Sequence, residues 1–400
     1  QSASQLALYG GPKIRTAPWP ERGLIGIEEK AAVDALFDQA ITTGQAIGYN
    51  GPQETAYGAE FATFMGGGYA DAISSGTAGI YVALKALNIE PFTEVIVGAV
   101  TDPGGLMPVP LCNCIPVIAD TMPGSYNTGP EQVAALISPL TSAIIVPHIA
   151  GEPADIAGIM EVARQHGLPV IEDCSQAHGA SLHGQLVGTF GDVAVFSTMF
   201  GKHHSTGGQG GIVYTRDENL YQALRRAADR GKPFGLPAGS TNVMASLNLN
   251  ANELACAIGR AQLHKLPGLI ARRRTIVGRL AEGLRDLHTV SLPALLPGAA
   301  PSYWFLRLRF HADQATCDKA TFCAALGAEG LAVNPSYRGA LPHLMDWFVQ
   351  RRVFGSSGYP WRSPEYRGDP QRQFPCPNAN AVMDTDFNLH AHEGWGDAEI

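Results

Sequence analysis

Residues 168–179 read LPVIEDCSQAHG and residues 193–215 read VAVFSTMFGKHHSTGGQGGIVYT, and these two stretches decide the fold. Each begins with a short apolar run that is typical of a buried strand. The first run ends on two carboxylates, and the second ends just before Lys202 and a glycine-rich turn. Ligands of open parallel sheets collect beyond the carboxyl ends of the strands. The two stretches therefore predict an α/β domain with a functional site at one sheet edge.

The surrounding chain continues this pattern over residues 26–264, where short apolar runs alternate with helical periodicity. Such alternation is typical of a mostly parallel sheet lying between helices. The predicted strands are residues 95–97, 116–119, 143–146, 168–172, 193–197 and 211–214. The predicted helices are residues 78–88, 130–137 and 155–166. We expect one large α/β domain over residues 26–264.

The pattern changes after Asn252. Two helices are predicted, over residues 252–265 and 267–287, followed by an alternating run at residues 303–308 that is typical of a strand with one solvated face. Residues 339–380 show no sustained period and are expected to form a long irregular excursion. The sequence predicts a smaller α+β domain over residues 265–400, with residues 1–25 packed against it.

Composition excludes several classes of protein. The 400 residues carry 36 acidic and 28 basic side chains, with no long basic run, so no nucleic-acid partner is expected. The seven cysteines are odd in number and scattered, which favours a reducing compartment over a disulfide framework. Residues 1–5 lack the features of a signal peptide, and no run approaches the length of a membrane span. We expect a cytoplasmic protein with no membrane partner and no metal.

Lys202 is the first candidate for chemistry. It follows an apolar run and precedes a glycine-rich turn, a context in which burial lowers the pKa of an amine. A neutral amine can attack an aldehyde to form an imine. The alternative is an ordinary surface lysine.

Two further candidates lie at other strand ends. Asp173 ends an apolar run, where it is either an anion for a ligand or a loop cap. Residues 74–77, Ser-Ser-Gly-Thr, open a predicted helix whose free N–H groups could bind an anion, although a simple helix cap is the alternative. A lysine, an anion for a ring nitrogen and a phosphate cradle are together what a pyridoxal phosphate (PLP) enzyme needs.

These segments resemble the DegT/DnrJ/EryC1/StrS family of sugar aminotransferases, which have PLP fold type I. The resemblance is carried by Ser75-Gly76-Thr77, by residues 171–179 and 196–211, and by the predicted helix that begins at Asn252. It implies that Lys202 forms the Schiff base and that Asp173 contacts the pyridine nitrogen. It places the remaining cofactor contacts at Ser75, Gly76, Thr77, Gln176, Ser197 and Asn248.

Asn248 would act from the neighbouring subunit, so the resemblance implies a homodimer with shared active sites. The chain departs from the family at three places. Asn250 stands where an arginine is usual, and residues 101–105 replace an aromatic residue over the cofactor ring. Ser336-Tyr337-Arg338 replaces a His-Tyr pair near the substrate. Tyr337, Arg338 and Trp304 are candidates for substrate contacts, with packing as the alternative for Trp304.

The resemblance implies transfer of an amino group from glutamate or glutamine to a nucleotide-linked keto-sugar or a keto-cyclitol. A PLP-binding sugar dehydratase is an alternative, although such relatives replace the lysine by histidine. Another is a non-catalytic PLP-binding sensor of the same fold. A nicotinamide-dependent oxidoreductase fits the α/β pattern but lacks its glycine fingerprint at the first βα turn.

Overall fold

The computed structural model describes residues 5–400. The first four residues of the predicted N-terminal segment therefore lie outside it. The strands are β1 Tyr69–Ile73, β2 Glu94–Gly98, β3 Ile115–Ala119, β4 Thr141–Pro147, β5 Val170–Asp173, β6 Ser181–Leu182, β7 Gln185–Leu186, β8 Val193–Ser197, β9 Gly211–Thr215, β10 Val290–Ser291, β11 Ala299–Ala300, β12 Leu306–Phe310, β13 Val333–Asn334 and β14 Asp386–Leu389. The helices are α1 Ile27–Thr43, α2 Pro52–Phe64, α3 Gly76–Ala86, α4 Pro108–Leu111, α5 Pro130–Ala134, α6 Ile156–His166, α7 Glu218–Ala228, α8 Glu253–Leu284, α9 Lys319–Ala328, α10 Asp346–Val349 and α11 Pro377–Thr385.

A seven-stranded sheet forms the centre of the molecule, with strand order β1-β9-β8-β5-β4-β2-β3. Strands β3, β2, β4, β5 and β8 run parallel, and β9 and β1 are antiparallel to their neighbours. The residues of β2, β3, β5, β8 and β9 are all buried, which explains why the sequences of these strands are mostly apolar. The predicted α/β fold with a mostly parallel sheet is confirmed.

Strand β1 was not among the predicted strands. Its sequence, Tyr-Ala-Asp-Ala-Ile, has a charged residue at the centre and two small residues, so it lacks an apolar run. Asp71 is nevertheless buried, and its carboxylate lies 4.0 Å from the guanidinium of Arg225. Pairing with β9 and this charge contact place the segment in the sheet.

A second sheet, with order β10-β12-β14-β13, is antiparallel. We predicted a strand with one solvated face at residues 303–308. This prediction is wrong, because the strand lies at Leu306–Phe310 and Arg307 is buried within it. The Arg307 guanidinium donates to the carboxylates of Glu152 and Asp386 over 2.8 to 3.0 Å. Glu152 follows β4, so this ion-pair network joins the two sheets.

The two helices predicted on either side of residue 266 are one continuous helix, α8. A proline inside a helix removes one backbone hydrogen bond, so we expected the helix to break at Pro267. The helix nevertheless continues, because the neighbouring side chains of Leu263, Leu266 and Ile270 are buried and stabilise it, while Pro267 itself is exposed. Helix α8 also runs across the predicted domain boundary at residues 264 and 265, and that boundary stays a prediction.

The N-terminal residues contact the end of the chain. The backbone N–H groups of Ala7 and Ile14 donate to the Glu329 carboxylate, and the Trp19 ring stacks on Trp395 at 4.6 Å. Residues 339–380 contain α10 and little other regular structure, but Trp361 packs into the core. Over residues 5–400, no helix combines the length and apolar character needed to cross a bilayer.

Candidate active site

A cavity of about 230 Å³ opens at the carboxyl ends of β2, β4, β5 and β8. The structure brings seven of the eight predicted cofactor residues to its walls. They are Ser75, Gly76, Thr77, Asp173, Gln176, Ser197 and Lys202. Because parallel strands end at the same sheet edge, residues from distant parts of the chain meet here. The site is therefore assembled by the topology of the sheet.

Lys202 lies in the turn after β8 and is 7% exposed. Burial lowers the pKa of its amine to about 8, and the nearby carboxylates of Asp173 and Asp102 oppose that shift. The amine also lies 3.9 Å from the centre of the Trp304 ring, whose indole N–H donates to the Gly201 carbonyl. The amine is therefore buried, held against an aromatic face and largely neutral at mildly alkaline pH.

Asp173 is the last residue of β5. Successive side chains of a strand point to opposite faces, so Asp173 lines the cavity and Glu172 points away from it. Oδ1 of Asp173 accepts the N–H of Ser175 at 3.0 Å. Burial raises the pKa of this carboxyl, and the hydrogen bonds from Ser175 oppose the rise. A cationic ring nitrogen in the cavity would favour the ionised carboxylate.

The cradle for an anion is the first turn of α3. Ser75 is the N-cap, and its Oγ accepts the N–H of Ala78 at 3.0 Å. The N–H groups of Gly76 and Thr77 have no acceptor within the helix, as expected for its first turn. A side chain at Gly76 would place its Cβ 2.8 Å from Cβ of Ser197, so glycine permits this close approach. These donors fit a phosphate.

Gln176 forms the side of the cavity near Tyr337. Its Oε1 accepts the N–H of Ala150 at 2.9 Å, and its Nε2 donates to the Tyr337 hydroxyl at 3.1 Å. Burial raises the pKa of Tyr337 to about 12, so the phenol stays protonated. The Tyr126 ring stacks on Tyr337 with centroids 5.7 Å apart. The Gln176 amide is thus held at the wall by hydrogen bonds on both sides, whereas Tyr337 and Trp304, the other candidates for substrate contacts, are not wall residues of the cavity.

Asn248 is the predicted residue that the structure does not bring to the cavity. It is exposed in the segment before α8 and makes an isolated bridge with Asp229. Arg338 is also outside the cavity walls, and its guanidinium donates to the carboxylate of Asp384 and to the amide oxygen of Asn380. Neither residue completes the site within one chain.

His203 and His204, which follow Lys202 in the chain, lie behind the cavity. His203 Nε2 contacts the Ser302 carbonyl, and His204 contacts the Tyr57 hydroxyl and His178. Burial lowers the pKa of His204 to about 3. The ring is therefore neutral at ordinary pH and supports the packing beneath Lys202.

Thr101, Asp102 and Gly105 line the cavity, and they belong to the stretch that the resemblance places over the cofactor ring. They belong to a short turn after β2, in which Asp102 Oδ1 accepts the N–H of Gly104 at 2.9 Å. A carboxylate and two glycines occupy the place where the family has an aromatic side chain. The cavity residues that sequence reasoning missed are Pro147, His148, Ile149, Ser175, Met199 and Gln209. The signal that could have found the first three is position, because they end or follow β4 at the same sheet edge as Asp173.

Within residues 5–400, His148, Glu172 and Cys174 form a group of potential metal ligands, and His148 also lines the cavity. The Glu172 oxygens accept N–H groups from Gly188, Phe190 and Gly191 and contact His148 Nε2 at 3.0 Å. His148 Nδ1 accepts the N–H of Ala154. Burial also raises the pKa of the Cys174 thiol well above its ordinary value. His148 and Glu172 are thus held by hydrogen bonds within the chain, and the thiol beside them stays protonated.

The fold and this cavity define a PLP enzyme of fold type I. Residues 28–358 match the family model described as the DegT/DnrJ/EryC1/StrS aminotransferase family. The chain belongs to this family and is a PLP-dependent aminotransferase.

Individual relatives agree with this assignment. The chain is 32% identical over 365 residues to the L-glutamine:scyllo-inosose aminotransferase of Streptomyces griseus, covering 88% of this chain and 86% of that protein. It is similar to Streptomyces venezuelae DesV, solved in complex with a ketimine intermediate, with 26% identity, a TM-score of 0.77, and coverage of 93% and 91%. It is also similar to DesI, solved in the presence of its TDP-sugar product, with 25% identity, a TM-score of 0.80, and coverage of 100% and 94%.

Proposed function

We propose that this enzyme transfers an amino group from L-glutamine or L-glutamate to a keto-cyclitol or a nucleotide-linked keto-sugar. The observation that carries the proposal is the shared cavity of Lys202, Asp173 and the first turn of α3. The cyclitol is the favoured acceptor, because the Streptomyces griseus relative is named for scyllo-inosose and covers most of the chain. The DesI structure supports the nucleotide-linked sugar as the second acceptor.

The cavity fits PLP at three points. The free N–H groups of Gly76 and Thr77, with the hydroxyls of Ser75 and Ser197 nearby, would hold the phosphate. Asp173 would accept a hydrogen bond from the ring nitrogen, and Gln176 would lie beside the ring. When bound, PLP supplies an aldehyde for imine formation, a carrier for the amino group and a sink for electrons.

Lys202 has two tasks in this proposal. Its neutral Nζ forms the covalent bond to the cofactor, and burial makes that form available near pH 8. Once displaced by the amino donor, the same Nζ would take the proton from the donor's α-carbon and deliver it to the cofactor carbon that carried the aldehyde. Trp304 would keep the released amine in the cavity, since its ring already contacts Nζ.

A homodimer with shared sites completes the proposal. Asn248 is exposed in its own chain, and the preceding segment also exposes the apolar side chains of Val243 and Leu247. A partner subunit that covered this segment would bury those side chains and could bring Asn248 to the phosphate cradle. We also propose a cytoplasmic location, because all seven cysteines are free thiols.

Isotope transfer tests the function directly. The purified protein, reconstituted with PLP, is incubated with L-glutamine or L-glutamate labelled with ¹⁵N at the α-amine and with either scyllo-inosose or a TDP-linked keto-sugar. The proposal expects ¹⁵N in one amino product, measured by mass spectrometry, and no product with Lys202→Ala. A protein that binds PLP but transfers no label to either acceptor class would contradict the proposal.

A further inference from the structure

The turn of residues Asp102 to Gly105 lies between the two ends of the proposed cofactor site. Gly104 faces the anion cradle, because a Cβ at this position would lie 2.2 Å from Oγ1 of Thr77. Gly105 faces the proposed ring-nitrogen partner, because a Cβ there would lie 2.9 Å from Oδ2 of Asp173. Two adjacent glycines thus border different ends of one ligand.

These glycines are not required by backbone conformation. Neither Gly104 nor Gly105 has a positive φ angle, so an alanine could adopt the same backbone without strain. The turn is fixed by other contacts, since the Gly104 N–H donates to Asp102 Oδ1 and the Gly105 N–H donates to the Asp102 carbonyl. What the two positions lack is space for a methyl group.

The space at Gly105 is bounded by groups that cannot all move freely. Thr101 is 1% exposed, and its Oγ1 would lie 2.5 Å from a Cβ at position 105. The other neighbour is Oδ2 of Asp173, while Oδ1 is held by the Ser175 N–H. A methyl group would therefore press on the oxygen that remains available to a ligand.

We propose that Gly105 is a positioning residue whose missing side chain leaves Oδ2 of Asp173 free to bond the ring nitrogen of PLP. The inference rests on the proposed cofactor contacts. It goes beyond them because it attributes the free position of the Asp173 carboxylate, at the end of β5, to the turn that follows β2. Gly104 has the equivalent place at the phosphate end, which makes it a matched control.

The test compares Gly105→Ala with Gly104→Ala in protein reconstituted with PLP that carries ¹⁵N in the ring. The ¹⁵N chemical shift reports whether the ring nitrogen is protonated, independently of turnover. We expect Gly105→Ala to move the signal towards the unprotonated position, as Asp173→Asn should. Gly104→Ala should leave the signal in place and weaken PLP binding, roughly tenfold, by displacing the Thr77 hydroxyl.

A clash with Thr101 could by itself disturb the turn, so Thr101→Ala/Gly105→Ala is the second variant. It removes the contact with Thr101 Oγ1 and keeps the contact with Asp173, and the shifted signal should persist. An unshifted signal in both Gly105 variants, or an equal shift in Gly104→Ala, would overturn the inference. Wild-type protein that gains no visible absorption band when it is reconstituted with PLP would instead refute the proposed function, because Lys202 would then form no imine.

Discussion

At the scale of single residues, the chemistry of Lys202 depends on its environment. Its amine has a pKa of about 8, below the ordinary value of 10.5, because burial disfavours the charged form. The neutral fraction therefore grows as the pH rises through about 8. Asp102 and Asp173 act in the opposite direction, because their negative charges favour the protonated amine.

The rate at which PLP combines with the apo protein should follow this titration. We expect a rise with pH that has its midpoint near 8, measured by stopped-flow absorbance, because only the neutral amine attacks the aldehyde. Asp102→Asn should move the midpoint to lower pH by removing a negative charge. Asp34→Asn, on the exposed face of α1, is the control and should leave it unchanged. A midpoint near 10.5, or a rise of the midpoint in Asp102→Asn, contradicts this account.

Sequence reasoning reached the residues that end strands, and the resemblance placed residues 101–105 over the cofactor ring, but the contacts that this turn makes were not predicted. Asp173 and Lys202 follow strong apolar runs, so the sheet edge on which they lie could be inferred. The path of the turn at residues 101–105 depends on backbone hydrogen bonds and on contacts with Thr77 and Asp173. Neither is encoded in periodicity. Asn248 came from the resemblance alone, and its proposed contact with a second chain is not described by any pattern in one sequence.

At the scale of elements, Arg307 in β12 shows why the alternation of polar and apolar residues led to the wrong prediction of a solvated face. A charged residue between apolar neighbours predicts a solvated face, yet Arg307 is buried between two carboxylates from different parts of the chain. Its partner Glu152 follows β4 and its partner Asp386 begins β14. Pairing over such sequence distances is invisible to a local pattern. The same holds for α8, where packing overrides the helix-breaking tendency of Pro267.

Removal of the Arg307 side chain should be costly. Arg307→Ala leaves Glu152 and Asp386 buried without their main cation, and breaking a buried pair in this way typically costs about 3 to 5 kcal/mol. We expect a loss of that size in the free energy of unfolding, measured by urea denaturation. Arg309→Ala is the control, because Arg309 is partly exposed and Arg307 would still pair with Asp386, so about 1 kcal/mol is expected. Equal losses in the free energy of unfolding for Arg307→Ala and Arg309→Ala would contradict this prediction, because the loss would then not depend on how deeply the arginine is buried.

At the scale of the whole molecule, the shared active site can be tested by complementation. Lys202→Ala removes the amine of one chain, and Asn248→Asp places a negative charge beside the proposed phosphate site of the other. Each variant alone should be nearly inactive. A mixed dimer would contain one site with both native residues, so random mixing should restore about a quarter of wild-type activity. Mixed dimers verified by native mass spectrometry that show no recovery would contradict the shared site.

The central claim is the covalent bond between the cofactor and one lysine. PLP-reconstituted protein is reduced with borohydride, digested and mapped by mass spectrometry. We predict one stable pyridoxyl-phosphate adduct, on the peptide that contains Lys202, together with loss of the visible absorption band. An adduct on a different lysine, or a bleached protein with Lys202 unmodified, would contradict the account.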